Sequence, residues 1–195
     1  MLTAQEIVRS TYGVWRLAHA DPGGMAYFDA TEEGFWRSFR VAVLVAPAYA
    51  LLVLLGYAVP PSDPDAVPIV VSGTRVVAIE LIAYAIGWMA FPLAAHYLAM
   101  ALDRERDYVG YIVAYNWSAV LQVGLLLPVA AIDALELLPA PTGDVLGYAA
   151  AIALLVYAWF IAKTALNTGG LPAAGFVAMD VMISVLIFSI KHTML

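Results

Sequence analysis

Asp180 is the residue whose place in this sequence most invites chemistry. It lies near the middle of an apolar run from about Leu171 to Lys191, where a carboxyl group is costly and has no side-chain length with which to reach water. His96 and Asn116 lie at similar depth in two other apolar runs, and Tyr115, Trp117 and Ser118 add polar groups beside Asn116. An intramembrane cluster of His96, Asn116 and Asp180 can serve in two ways. A neutral Asp180 can hydrogen-bond to a neighbouring helix and lock the bundle, or it can be a proton or solute site.

Glu80 is the second anomaly, early in its own run and level with Lys191 and His192 at the end of another. An ion pair between Glu80 and Lys191 is the simplest expectation, since an unpaired carboxylate at that depth is costly. Other chemistry is poorly served. His19, His96 and His192 lie in different regions, and none has a second His or carboxylate one helical turn away, so no metal site is expected. The chain has no cysteine, which excludes disulfides, thiol redox chemistry and palmitoylation. No phosphate-binding Gly-rich loop, Gly-x-Ser-x-Gly elbow or His-Glu-x-x-His motif is present, so neither an enzyme nor a cofactor is expected.

The elements that must carry these residues follow from composition. Of 195 residues 64% are hydrophobic and 12% charged, against about 45–50% and 25% in soluble domains. At about 20 residues per crossing, the chain predicts an all-α, polytopic transmembrane helical bundle of about five spans. The spans fall at about 39–59, 75–102, 108–132, 145–166 and 171–191. Pro60 to Asp65 stops the first span, Asp103 to Asp107 forms a charged turn, and Asp133 to Asp144 makes a loop. The paired glycines Gly23-Gly24 and Gly169-Gly170 read as helix stops that accept positive φ. Residues 39–195 thus form the membrane domain, and residues 1–38 form a cytoplasmic segment.

In that segment Thr3-Ala4-Gln5-Glu6 is a capping box, and Asp29-Ala30-Thr31-Glu32 marks a second helix start that runs on into the first span. Ala4, Ile7, Val8, Thr11, Val14, Trp15 and Ala18 share one helical face, while Gln5, Arg9, Tyr12 and Arg16 share another. The pattern predicts an amphipathic interfacial helix with Trp15 at headgroup depth and Arg9 and Arg16 toward phosphate. Trp36 and Arg37 form a second interfacial group. A short helix packed on the end of the bundle is the other reading. Arg9, Arg16, Arg37, Arg40, Arg104, Arg106 and Lys163, seven of the nine basic residues, fall on one side, which the positive-inside rule makes cytoplasmic.

The amphipathic segment with Trp15, then Asp21-Pro22 and an aromatic, then five spans, resembles the bacterial branch of the Yip1-like membrane proteins. Asp21-Pro22-Gly23-Gly24 departs from the Asp-Leu-Tyr-Gly-Pro type of motif of eukaryotic members, so no vesicle-trafficking role carries over. The resemblance implies a non-enzymatic scaffold or accessory protein with no catalytic residues. It would act in a bacterial inner membrane through the lipid bilayer and another membrane protein or a second copy of itself. A small proton-coupled transporter or channel using Asp180, with Glu80 at the outer mouth, is the alternative. The acidic net charge of −6 argues against a nucleic-acid partner. With five spans the amino terminus is cytoplasmic and the carboxy terminus external, so a reporter fused after Leu195 should read as external. A cytoplasmic reading would change the number of spans and undo the depth argument.

Overall fold

The computed structural model describes residues 2–58 and 72–194. The expected stop at Pro60 to Asp65 lies outside them. The described chain is helical: α1 (Ala4–Ala18), a 3₁₀ segment (Pro22–Tyr27), α2 (Glu32–Ser38), α3 (Val41–Ala58), α4 (Gly73–Ala101), α5 (Glu105–Ala134), α6 (Ala140–Ala165) and α7 (Gly170–Met194). Five helices are long and apolar enough to cross a bilayer, as the sequence predicts.

The N-terminal caps form where hydroxyl side chains can accept free backbone N–H groups. Thr3 Oγ1 accepts from Glu6 N at 3.1 Å, and Thr31 Oγ1 accepts from Gly34 N at 3.1 Å. Asp29 is therefore not the cap of α2. It accepts from both the backbone and the hydroxyl of Thr31 and so orients the residue that caps. α2 does not run unbroken into α3 either. Phe39 and Arg40 form a tighter turn, with Arg40 N bonded to Arg37 O at 3.0 Å and Val43 N to Arg40 O at 3.1 Å. α6 begins at Ala140, inside the stretch read as loop, because Pro141 falls in the first turn where its missing N–H removes no helical bond.

Helix ends depart further from expectation. No glycine among the described residues has positive φ; Ala20, Asp103, Glu136 and Asn167 do, at φ of 56°, 55°, 50° and 46°. Each follows a helix that closes with the same backbone bond five residues back: Asp21 N to Arg16 O, Arg104 N to Ala99 O, Leu137 N to Ile132 O and Thr168 N to Lys163 O. The paired glycines serve close approach instead. A Cβ on Gly24 would stand 2.6 Å from Gly13 O, and one on Gly170 would stand 3.2 Å from the Trp159 ring.

α5 is the central element. It packs against α3 on one side and α6 on another, while α1 and α2 also lie on it; α7 packs against α4 and α6. The core gathers at the end that carries α1 and α2, here termed the capped end, where Val14, Leu17, Phe91, Ile112, Trp117, Ile161 and Phe176 are sealed from solvent. The buried face of α1 is Ser10, Gly13, Val14 and Leu17, so the expected apolar face is rotated. Val8 and Trp15 are exposed, because the small residues Ser10 and Gly13 permit the close backbone approach that the larger ones would prevent.

Left-handed backbone at Ala20 carries a Cβ clash that glycine lacks. Ala20→Gly should therefore raise stability by about 0.5–1 kcal/mol, read as a higher melting temperature in detergent. A lower melting temperature would show that Ala20 is not held in this conformation.

Candidate functional site

Several polar contacts cross the bundle between helices. At the open end, opposite the cap, Lys191 Nζ on α7 donates to Glu80 Oε1 on α4 at 2.9 Å. The Tyr57 hydroxyl on α3 donates to the same oxygen at 3.0 Å. The sequence-predicted pair is thus brought together, with Tyr57 as an additional donor and Glu80 Oε2 buried without a partner. His192 stacks on Phe188 instead of joining the pair.

Nearer the cap, the Tyr115 hydroxyl on α5 donates to Asp180 Oδ1 at 3.0 Å. The expected cluster of His96, Asn116 and Asp180 is not assembled. Asn116 Nδ2 donates to Ser38 Oγ at 2.8 Å, and the His96 ring packs against Tyr108 and Tyr97. The physical reason is rotation about the helix axis: successive residues point about 100° apart, so Tyr115 turns to α7 while Asn116 turns to the end of α2.

Hydrogen-bond logic fixes the Asn116 amide. Ser38 directs its single hydroxyl proton to Phe35 O at 2.7 Å, so toward Asn116 it can only accept. The amide must donate Nδ2, which leaves Oδ1 as a buried acceptor with no partner. That oxygen belongs to a residue bordering a cavity of about 410 Å³ between α3, α4, α5 and α7. Val45, Leu52, Trp88 and Leu126 supply apolar wall, Gln122 and Lys191 polar edge. Gln122 Nε2 donates to Ser118 Oγ at 2.9 Å, and Ser118 donates to Tyr115 O at 2.6 Å. On the seam beside the cavity, α3 and α4 are bridged by tyrosines: Tyr49 and Tyr84 pack ring on ring, and the Tyr84 hydroxyl donates to Ala42 O at 2.6 Å.

At the capped end, the predicted interfacial cations are directed within the chain. Arg37 pairs with Glu6 at 3.3 Å, with Glu33 at 2.6 Å and with Asp29, joining α1 and the turn before α2. Arg16 Nε donates to Asp21 Oδ2 at 2.6 Å, and Arg9 donates to Ala26 O at 3.0 Å. The Arg16 hydrogen bond, followed by that from Gly23 N, holds the Asp21 carboxyl below the usual carboxylate range; the Thr31 hydroxyl does the same for Asp29. Trp15 and Trp36 are exposed, and Val8, Tyr12 and Trp15 form one exposed stripe along α1. Among the described residues, no three of His, Asp and Glu gather where they could hold a metal ion.

No protein-family model, no curated protein and no solved structure matches this chain.

Sequence reasoning missed Ser38, the cavity and Tyr57. Ser38 sits at a span start and resembles any interfacial polar residue, and only the fold shows that Asn116 reaches it. The open-end pair makes a direct test. Lys191→Met should cost roughly 2 kcal/mol in detergent, since it leaves a buried carboxylate with one donor, and Glu80→Gln in the same chain should recover most of that loss. A thermal unfolding series in which the double variant is no more stable than Lys191→Met would show that the pair is not what holds α4 to α7 there.

Proposed function

We propose that this is a non-enzymatic integral membrane protein that acts through lipid or partner contacts in the bilayer, not by conducting a solute across it. The observation that carries this reading is the seal at the capped end. Phe91, Ile112, Trp117, Ile161 and Phe176 are each no more than 1% exposed, and Val14 and Leu17 of α1 close over them. The cavity stops short of this plug, whereas a conduit needs alternating access from both ends.

Two features support the membrane setting. The seven basic residues that define the inner side all fall at the capped end, which favours a cytoplasmic cap. The exposed Val8, Tyr12 and Trp15 stripe suits contact with the interfacial region. A scaffold or accessory role, as the resemblance to Yip1-like proteins implies, fits a bundle whose apolar outer surface is broad and in which Arg16, Arg37 and Lys191 are paired within the chain.

The second reading keeps Asp180 as a proton site, and one observation favours it: the carboxyl sits in the middle of α7 with Tyr115 its sole hydrogen-bond partner among the described residues. The two separate on one pair of variants. As a lock, Asp180→Asn keeps an oxygen for the Tyr115 hydroxyl and should leave melting nearly unchanged, whereas Asp180→Leu should cost roughly 1 kcal/mol. Melting in detergent is to be measured beside proton and solute uptake in proteoliposomes. A wild-type flux that disappears in a fully stable Asp180→Asn would replace the scaffold by the transporter.

A further inference from the structure

A larger cavity, of about 760 Å³, opens at the capped end between the first half of α1, the 3₁₀ segment and α2. Three arginines, Arg9, Arg37 and Arg40, and three carboxylates, Glu6, Asp29 and Glu33, border it. The charges match in number but not in place. Arg37 alone pairs with all three carboxylates, which leaves negative charge in excess around it, while Arg9 and Arg40 form no ion pair among the described residues. Arg9 gives one N–H to Ala26 O and keeps the others. A free anion would meet the carboxylates and a free cation the arginines. A group that carries both charges meets each with its opposite.

Ser10 points to the same conclusion from hydrogen bonding. It is 3% exposed, borders the cavity, and its hydroxyl has no hydrogen-bond partner among the described residues. The side-chain atoms sealed without a partner are Glu80 Oε2 and Asn116 Oδ1, so the Ser10 hydroxyl keeps an accessible face, and that face opens on the cavity. Buried hydroxyls rarely go unpaired. Ser10 also lies one helical turn from Glu6 on the same face of α1. Glu6 and Glu33 each give Arg37 only Oε1, whereas Asp29 spends one oxygen on Arg37 and the other on Thr31. The second oxygens of Glu6 and Glu33 and the Ser10 hydroxyl make three acceptors, the number that the three N–H groups of a primary ammonium require.

The source of such a group follows from where the cavity lies. Arg40 directly precedes α3, the exposed Trp36 stands on the rim, and α3 continues with the exposed Val43, Leu44 and Leu51. Cation and indole suit headgroup depth, and the apolar side chains beyond them suit acyl chains. We infer that this cavity takes the headgroup of an ethanolamine phospholipid, its phosphate on Arg9 and Arg40 and its ammonium among Glu6, Glu33 and Ser10. This deepens the proposed role by naming the class of lipid contacted, and it rests on that reading.

The test titrates the full chain in detergent with dioleoyl phospholipids that differ only in headgroup, and follows the first lipid bound by native mass spectrometry. The ethanolamine lipid should bind about tenfold more tightly than the choline lipid, whose methylated nitrogen has no N–H to donate, and than the glycerol lipid, an anion without an ammonium. Ser10→Ala and Glu33→Gln should each bring the ethanolamine lipid toward the choline lipid and leave the choline lipid unchanged. Arg40→Gln, at an exposed side chain outside the Arg37 clamp, should weaken all three. Equal binding of the ethanolamine and choline lipids, or tighter binding of the glycerol lipid, overturns the proposal. So does binding that Arg40→Gln leaves unchanged, and this variant does not depend on how well Ser10→Ala packs. Soluble O-phosphoethanolamine in the same molar excess should displace little of the bound lipid; displacement as full as excess lipid gives would assign the cavity to a soluble compound and overturn the lipid. The flux comparison at Asp180 is read separately, so the ligand and the scaffold role can fail independently.

Discussion

The structure depends on burying two turns of α5 from every side. Tyr111, Ile112, Val113, Ala114, Asn116, Trp117 and Ser118 are all buried, so no single stripe of this helix faces a single neighbour. Such burial needs partners all round, and α3, α6, α1 and α2 provide them. It also brings Asn116 and Ser118 away from water, so each must find its hydrogen bonds inside the protein. Ser118 does so on its own helix. Asn116 does so only in part: its amide nitrogen reaches Ser38, and its oxygen is buried with no donor among the described residues.

From this column the bundle divides into two unlike ends. Toward the cap, aromatic and branched side chains interdigitate and the N-terminal segment is clamped by Arg37 and Arg16. Toward the other end, helices are held by fewer and more polar contacts, the Glu80 and Lys191 pair with Tyr57 foremost. Packing against small residues and polar links between helices is what association within lipid requires, where apolar side chains gain little by leaving the hydrocarbon. The tight end supplies rigidity and the looser end supplies space.

How much of this the sequence discloses varies with the kind of physics. The spans are legible because length and apolar composition decide them almost alone, and the seams near residues 39–40 and 140 moved by only a few positions. Glu80 and Lys191 are legible too, because depth and opposite charge leave few other partners. Asp180 is half legible: its depth predicts the level of its partner, and Tyr115 stood among the nearby donors, but depth does not reveal which of two adjacent residues points at α7. Glycine spacing misled outright. Ala20 and Asn167 adopt the backbone assigned to the glycines, while Gly24 and Gly170 answer to packing from elsewhere in the chain that no local pattern records.

The hydrogen bond from the Tyr157 hydroxyl to Val14 O spans 143 residues at 3.1 Å, and the same α1 face rests on α5 and α6. A chain made from its amino terminus presents α1 before α5 and α6, and the wall that α1 fits is not whole until α6 has been made and inserted. α1 is thus made well before the surface that completes its seat, and until α6 is in place its buried face has only the 3₁₀ segment and α5 to meet. Full seating of α1 thus couples the N-terminal segment to the arrival of α6.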